Sequence, residues 1–194
     1  MKVVRNTDSA IEPIKLQLVQ DHLRIDSDSD QEILSEYIKA ARQKFEDDTD
    51  YILTNQTYTI YLDSFPIGQE ILLPIYPIQS IQSVKYYDTD GVLQTLSVSN
   101  YWTDLNDKHP RITATEDEYF PDTQLARVNS VEIALTAGHA DPPTTVPSDI
   151  KQALYMLVGH YYENRQDAQV GIRVNAIPMG YRSIAERYKN FLGR

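Results

Sequence analysis

His160, Glu163 and Arg165 fall within six consecutive positions of the stretch VGHYYENRQ. An imidazole, a carboxylate and a guanidinium are groups that serve general acid–base chemistry, provided they are positioned on one substrate. Helical periodicity argues against that here. At 100° per residue, Ile150, Leu154, Leu157 and Tyr161 share one apolar face, with Ala153 and Val158 flanking it. His160 then sits at the edge of that face, Glu163 nearly opposite its centre and Arg165 on the other flank. From this helix alone the three cannot converge, and His160 with Glu163 at i,i+3 can make only a surface pair. The stretch reads as a structural helix with polar edges.

Other chemistries meet similar obstacles. The acidic run DSDSDQE suggests calcium, but a calcium-binding loop needs glycine at its sixth position and glutamate at its twelfth. Counted from Asp26, those positions hold Gln31 and Tyr37. The four histidines, His22, His109, His139 and His160, are widely spaced and form no H-x-x-x-H pair for zinc. There is no cysteine, which excludes disulfides, thiolate metal sites and a cysteine nucleophile. G-x-S-x-G, Walker A and G-x-G-x-x-G motifs are missing from a chain with only seven glycines to build phosphate-cradling loops. No catalytic residue, cofactor or metal is therefore expected. The aromatic stretches VKYYD, NYWTD and DEYF could form a binding face, but they more simply cover a small sheet, where such residues are favoured.

The elements that would position any site follow from periodicity. PIKLQLVQDHLR over residues 13–24 predicts a short helix with Pro13 in its first turn. Ser29 and Glu32 predict a capping box for a second helix reaching Asp48, its buried face formed by Leu34, Tyr37, Ile38, Ala41 and Phe45. From Tyr51 the period becomes strand-like, with Tyr58, Ile60 and Leu62 on one face. EILLPIYPI carries two prolines and cannot be an ordinary central strand. Two strands meet at Asp90-Gly91, a hairpin turn; NYWTDL and PRITAT are short strands, and Val131, Ile133 and Leu135 alternate in the last one. The middle third should thus be a compact antiparallel sheet linked by hairpins. A proline-rich connector follows, then a helix from Ser148 or Asp149 to about Asn164. Residues 166–176 should form an exposed loop in which Val170, Ile172 and Val174 alternate, suited to adding a strand to a neighbour. Pro178 opens a final helix with Tyr181, Ile184, Ala185, Tyr188, Phe191 and Leu192 on its apolar face. The expected fold class is α+β: an N-terminal helix pair in residues 1–50, a central antiparallel β insertion in 51–140 and a C-terminal helix pair in 141–194. The two helical parts should complete one domain around the insertion.

Composition bounds the partners. No apolar stretch is long enough to span a membrane, and the opening MKVVRNTDSA is too polar for a secretory leader; the lack of cysteine fits an intracellular place of synthesis. The formal net charge is −10, which disfavours tight binding to nucleic-acid phosphates. That charge is uneven: residues 51–149 carry four Lys/Arg against thirteen Asp/Glu, whereas residues 150–194 carry seven against three. A basic tail on an acidic body suits head-to-tail self-association or an acidic partner. It singles out Arg165, Arg173, Arg182, Arg187 and Lys189 as candidate interface residues. For each one alone, a solvated surface charge is the plainer reading.

The order of segments, taken together, resembles the head–tail connector (adaptor) family of tailed phages and prophages, in a longer branch with a β insertion. The stretches that carry it are IKLQLVQDHLRID, YIKAARQKFEDDT, YLDSFP, ILLPIYPIQSIQSVKYYDTDG, LTAGHADPPTTVPSDIKQALYMLVGHYYENR and IPMGYRSIAERYKNF, which touch nearly the full length. The chain departs from the family at His139, where an aromatic such as tyrosine is usual. The resemblance implies a non-enzymatic virion part, made and assembled in the host bacterial cytoplasm and located in the neck. Its copies would form a twelve-fold ring below the portal protein and extend the DNA channel toward a downstream stopper or tail protein. An acidic channel wall would let DNA pass without specific binding. Two other readings stay open: another neck, tail-completion or stopper protein, and a small ligand-binding protein or hydrolase using the tyrosine-rich sheet.

Overall fold

The computed structural model describes residues 1–25, 28–116, 119–124, 127–164 and 178–190. The chain divides into two compact units, a β unit (residues 1–9, 55–139 and 190–194) and a helical unit (residues 10–54 and 140–189). Helices and antiparallel sheets coexist in separate units, so the α+β expectation is borne out.

The β unit contains two sheets where one was expected. Five strands run in the order β1 (Lys2–Arg5), β2 (Gln56–Leu62), β8 (Val131–Ala137), β4 (Ile78–Tyr87), β5 (Leu93–Thr95). Three more form β3 (Glu70–Leu72), β7 (Arg111–Ala114), β6 (Tyr101–Asp104). All pairings are antiparallel, but the expected chain of hairpins holds only for β4–β5 and β6–β7. The prolines explain part of the difference. Pro74 and Pro77 cannot donate to a ladder, so the chain leaves the small sheet after Leu72 and enters the large one at Ile78. Strand β8 then fills the middle of the large sheet. Its Ile133 lies opposite Ile60 on one side and Val84 on the other, and all three are fully buried. Strand β1, four residues with mostly exposed side chains, has too little apolar alternation to be legible in the sequence.

The β4–β5 turn forms as expected at Asp90-Gly91. The Asp88 carboxylate accepts the backbone N–H groups of Asp90 and Val92, and Gly91 takes φ 78°, which favours glycine. The Gln94 amide, and then the Val92 N–H, hold the Asp88 carboxyl below its usual range.

In the helical unit, α1 (Leu16–Leu23) begins later than expected, after an extended Lys15, so Pro13 lies outside the helix. Helix α2 (Gln31–Thr49) buries Leu34, Ile38, Ala41 and Phe45. The capping box does not form: a 3₁₀ turn over Asp28–Asp30 precedes the helix, and Asp30 is its N-cap without a side-chain cap bond. The Asp30 carboxylate instead accepts the Tyr162 hydroxyl at 2.6 Å, a partner far off in sequence. The proline-rich connector contains one helical turn, α3 (Pro142–Thr145), before α4 (Ser148–Glu163). Helix α5 (Met179–Tyr188) follows Pro178, as expected. Its Gly180 permits close approach to α4, since a Cβ there would lie 2.8 Å from Met156 Sδ.

Candidate assembly surfaces

Helix α5 carries Arg182 and Arg187, with Lys189 just past its end, and two tyrosines anchor it. Tyr181, 1% exposed, meets the Phe45 ring edge-on at 6.2 Å and donates its hydroxyl to Asp48 Oδ2 at 2.7 Å. Asp48 also pairs with Lys44. One face further along, the Tyr188 hydroxyl lies 3.0 Å from both oxygens of Asp149 and donates to them, while its ring packs edge-on against Tyr51 at 5.3 Å. Burial, and next the Asp48 bond, push the Tyr181 phenol far above its ordinary range; burial, and next Asp149, raise Tyr188 to about 12.

Those shifts set an alkaline limit. A tyrosine whose folded pKa is raised contributes stability that is fully present below its unfolded value of about 10, and that stability is lost as pH climbs through the folded value. The tyrosines' contribution should therefore be constant below about pH 10, and melting temperature should fall as pH rises from there towards 12. Tyr188→Phe should flatten part of that fall, with Tyr181 supplying a further part. Thermal melts by circular dichroism at stepped alkaline pH check this; identical slopes for wild type and variant would refute it.

Three of the five candidate cations fall among the described residues, each in a different setting. Arg182 is exposed on α5. Arg187 pairs with Asp149 at 3.0 Å, its side chain 62% exposed. Lys189 is half-buried just past the helix end. Arg165 and Arg173 lie outside the described residues, as do the alternating Val170, Ile172 and Val174, and Phe191 and Leu192.

The His160–Glu163 pair does not form; His160 Nδ1 lies 3.3 Å from the Asn164 amide nitrogen, and Glu163 is exposed. His22 packs against Tyr155 with ring centroids 5.3 Å apart. His22, Arg24, His160 and Glu163 do line a surface cleft of about 380 Å³, a convergence across two helices that one helix could not show. Among the described residues, neither imidazole is oriented by a carboxylate, the arrangement that general base catalysis uses.

Sequence reasoning missed two features. Arg42 is fully buried in the middle of the apolar face of α2. Its Nε lies 2.9 Å from Glu12 Oε2 and its Nη2 3.3 Å from Glu12 Oε1, while Nη1 reaches Glu46 Oε2 at 3.2 Å. The other Glu46 oxygen accepts the Leu53 N–H at 2.9 Å. The signal was present: Arg42 follows Ile38 by four positions and precedes Phe45 by three, so it had to point inward. The second feature is aromatic exposure. Tyr101 and Phe120 are buried as sheet cover, but Trp102 is 56% and Tyr119 78% exposed. Alternation could have identified Trp102, whereas Tyr119 sits outside any strand.

Comparison with known proteins places this arrangement. Residues 13–96 match the family model described as Phage gp6-like head-tail connector protein. No curated protein sequence matches the chain. A solved structure, "Neck of empty GTA particle computed with C6 symmetry", contains a chain 25% identical, with a TM-score of 0.80 over 98% of this chain and 96% of that one. "Virion of native gene transfer agent (GTA) particle" contains one 26% identical, with the same score and coverage. "Neck of native GTA particle computed with C12 symmetry" gives 25% identity and a TM-score of 0.74 over 96% and 95% of the two chains. The resemblance to head–tail connectors read from the residues is borne out.

Proposed function

For a chain that resembles the phage gp6-like head–tail connectors over residues 13–96, we propose a structural role in the virion neck, with no catalytic step. Copies close into a ring below the portal, twelve-fold in the virion, and extend the DNA channel toward a downstream stopper or tail protein. The observation that carries this is likeness over almost the whole length of both chains to proteins from neck and virion structures. The acidic body supports passage of DNA without capture, because like charge repels the phosphates. On this reading the protein is made and assembled in the host cytoplasm, and Arg165, Arg173, Arg182, Arg187 and Lys189 contribute to ring or portal contacts.

Native mass spectrometry of the chain, alone and mixed with a candidate portal, tests the reading. A closed oligomer of about a dozen copies in either sample is expected. A monomer that ignores the portal in both would overturn the ring and favour a stopper-like part. The charges have their own test. Arg187 is a poor choice, since reversing it would set a carboxylate against Asp149 and loosen α5. The double variant Arg182→Glu/Lys189→Glu should cut head–tail joining on the order of tenfold while circular dichroism shows the chain still folded. Normal joining by that variant, counted as complete particles in an assembly assay, would dismiss these two charges.

A further inference from the structure

The β unit carries a built apolar groove on its surface. Its floor is Phe65 stacked on Phe120, ring centroids 4.8 Å apart and 10° from parallel. Pro66 and Pro121 form walls, and Ile67 and Tyr119 stand at the rim, 98% and 78% exposed. The Gln69 side chain accepts the Phe120 N–H at 2.8 Å, and Tyr86 packs edge-on against Phe65 at 5.6 Å, so the two halves of the groove are tied together. A nearly fully exposed isoleucine beside an exposed tyrosine over stacked rings marks an interaction site more than a solvent face. The one charged residue among its described lining is acidic, and the nearby Arg127 is held over the Tyr87 ring. Asp122 lines the groove with no Lys or Arg among the lining residues, and Asp63, Asp88 and Asp90 flank its Ser64 and Thr89 in sequence. Such a groove fits an apolar side chain accompanied by a cation.

Helix α5 presents that combination. Met179 is 86% exposed, and Arg182, also exposed, follows at i+3 on the same side. An unbranched, polarizable methionine fills irregular aromatic pockets well. We propose that Met179 of one copy seats in the Phe65–Phe120 groove of the next copy, with its Arg182 facing Asp122. The proposal rests on the ring reading and deepens it: groove and knob are unlike surfaces, and repetition of a heterologous contact closes a ring.

The absence of cysteine makes the test clean. Two single variants, Ile67→Cys and Met179→Cys, one carrying a size tag, are mixed before assembly, with the candidate portal present. Native mass spectrometry first establishes the oligomer, and a short bis-maleimide then cross-links it. A covalent dimer containing one chain of each kind is expected, and it should be lost when Val98→Cys, at a position 76% exposed in the same unit, replaces Ile67→Cys. An oligomer without the mixed dimer, or with as much of it from Val98→Cys, overturns the contact and leaves the ring standing. Cross-linking of Ile67→Cys to the portal instead also overturns it, assigning the groove to that partner. No oligomer in any sample overturns the ring reading and this inference with it.

Discussion

Arg42→Ala should destabilise the protein by about 3–5 kcal/mol, the usual cost of removing one partner of a buried ion pair. The loss comes mainly from what stays behind. Arg42 and Glu46 have side chains 0% and 4% exposed, and Glu12, the other partner, is 20% exposed. Without the guanidinium, the Glu46 carboxylate keeps the Leu53 N–H but loses the cation that offsets its burial. The truncation also leaves a cavity where the arginine stem packed. Denaturant unfolding measures the change, and a loss under about 1 kcal/mol would show that water replaces the guanidinium without penalty.

Two further variants separate charge from geometry. Arg42→Lys retains the charge but cannot span two carboxylates with one planar fork, so it should recover only part of the loss. Glu46→Gln keeps an oxygen for Leu53 and removes a buried charge, and should cost less than Arg42→Ala. If Arg42→Lys proved as stable as wild type, the fork geometry would be irrelevant and the network would reduce to a point charge.

How far the fold was legible depended on whether a residue's partner lay nearby in the chain. Helical faces and alternating strands declare themselves locally: Leu34, Ile38, Ala41 and Phe45 are buried in α2, and Val131, Ile133 and Leu135 in β8. Sheet order does not, because the same alternation lets β2 pair with β4 or with β8, and register is settled only when β8 arrives between them. Caps failed for the same reason. A 3₁₀ turn includes Ser29 and moves the N-cap to Asp30, whose carboxylate takes the distant Tyr162 hydroxyl in place of a cap bond. Of the candidate interface residues, Arg182 was legible as an exposed cation, but the pairing of Arg187 with Asp149 was not. The groove was illegible altogether, since Phe65 and Phe120 are brought together by loops that carry no period.

Tyr181 shows both sides of that divide, and its truncation should be the other large loss. The 3.6-residue period places it on the apolar face of α5, but only the structure shows its hydroxyl on Asp48. Tyr181→Ala removes a ring that is 1% exposed and in edge contact with Phe45, and should cost about 3–5 kcal/mol, the range for deleting a buried aromatic. Tyr181→Phe keeps the ring and loses only a hydrogen bond to a charged acceptor, so about 1.5–3 kcal/mol is expected. Unfolding curves give both values, and equal losses would mean that the hydroxyl, not the ring, secures the helix. On the proposed ring contact the consequence reaches assembly, because Met179 and Arg182 lie on α5. If Tyr181→Ala loosens α5, ring formation should weaken even at temperatures where the variant remains folded, although every tail charge is still present. Normal assembly by a folded Tyr181→Ala protein would show that the tail does not need its helix docked to do its work.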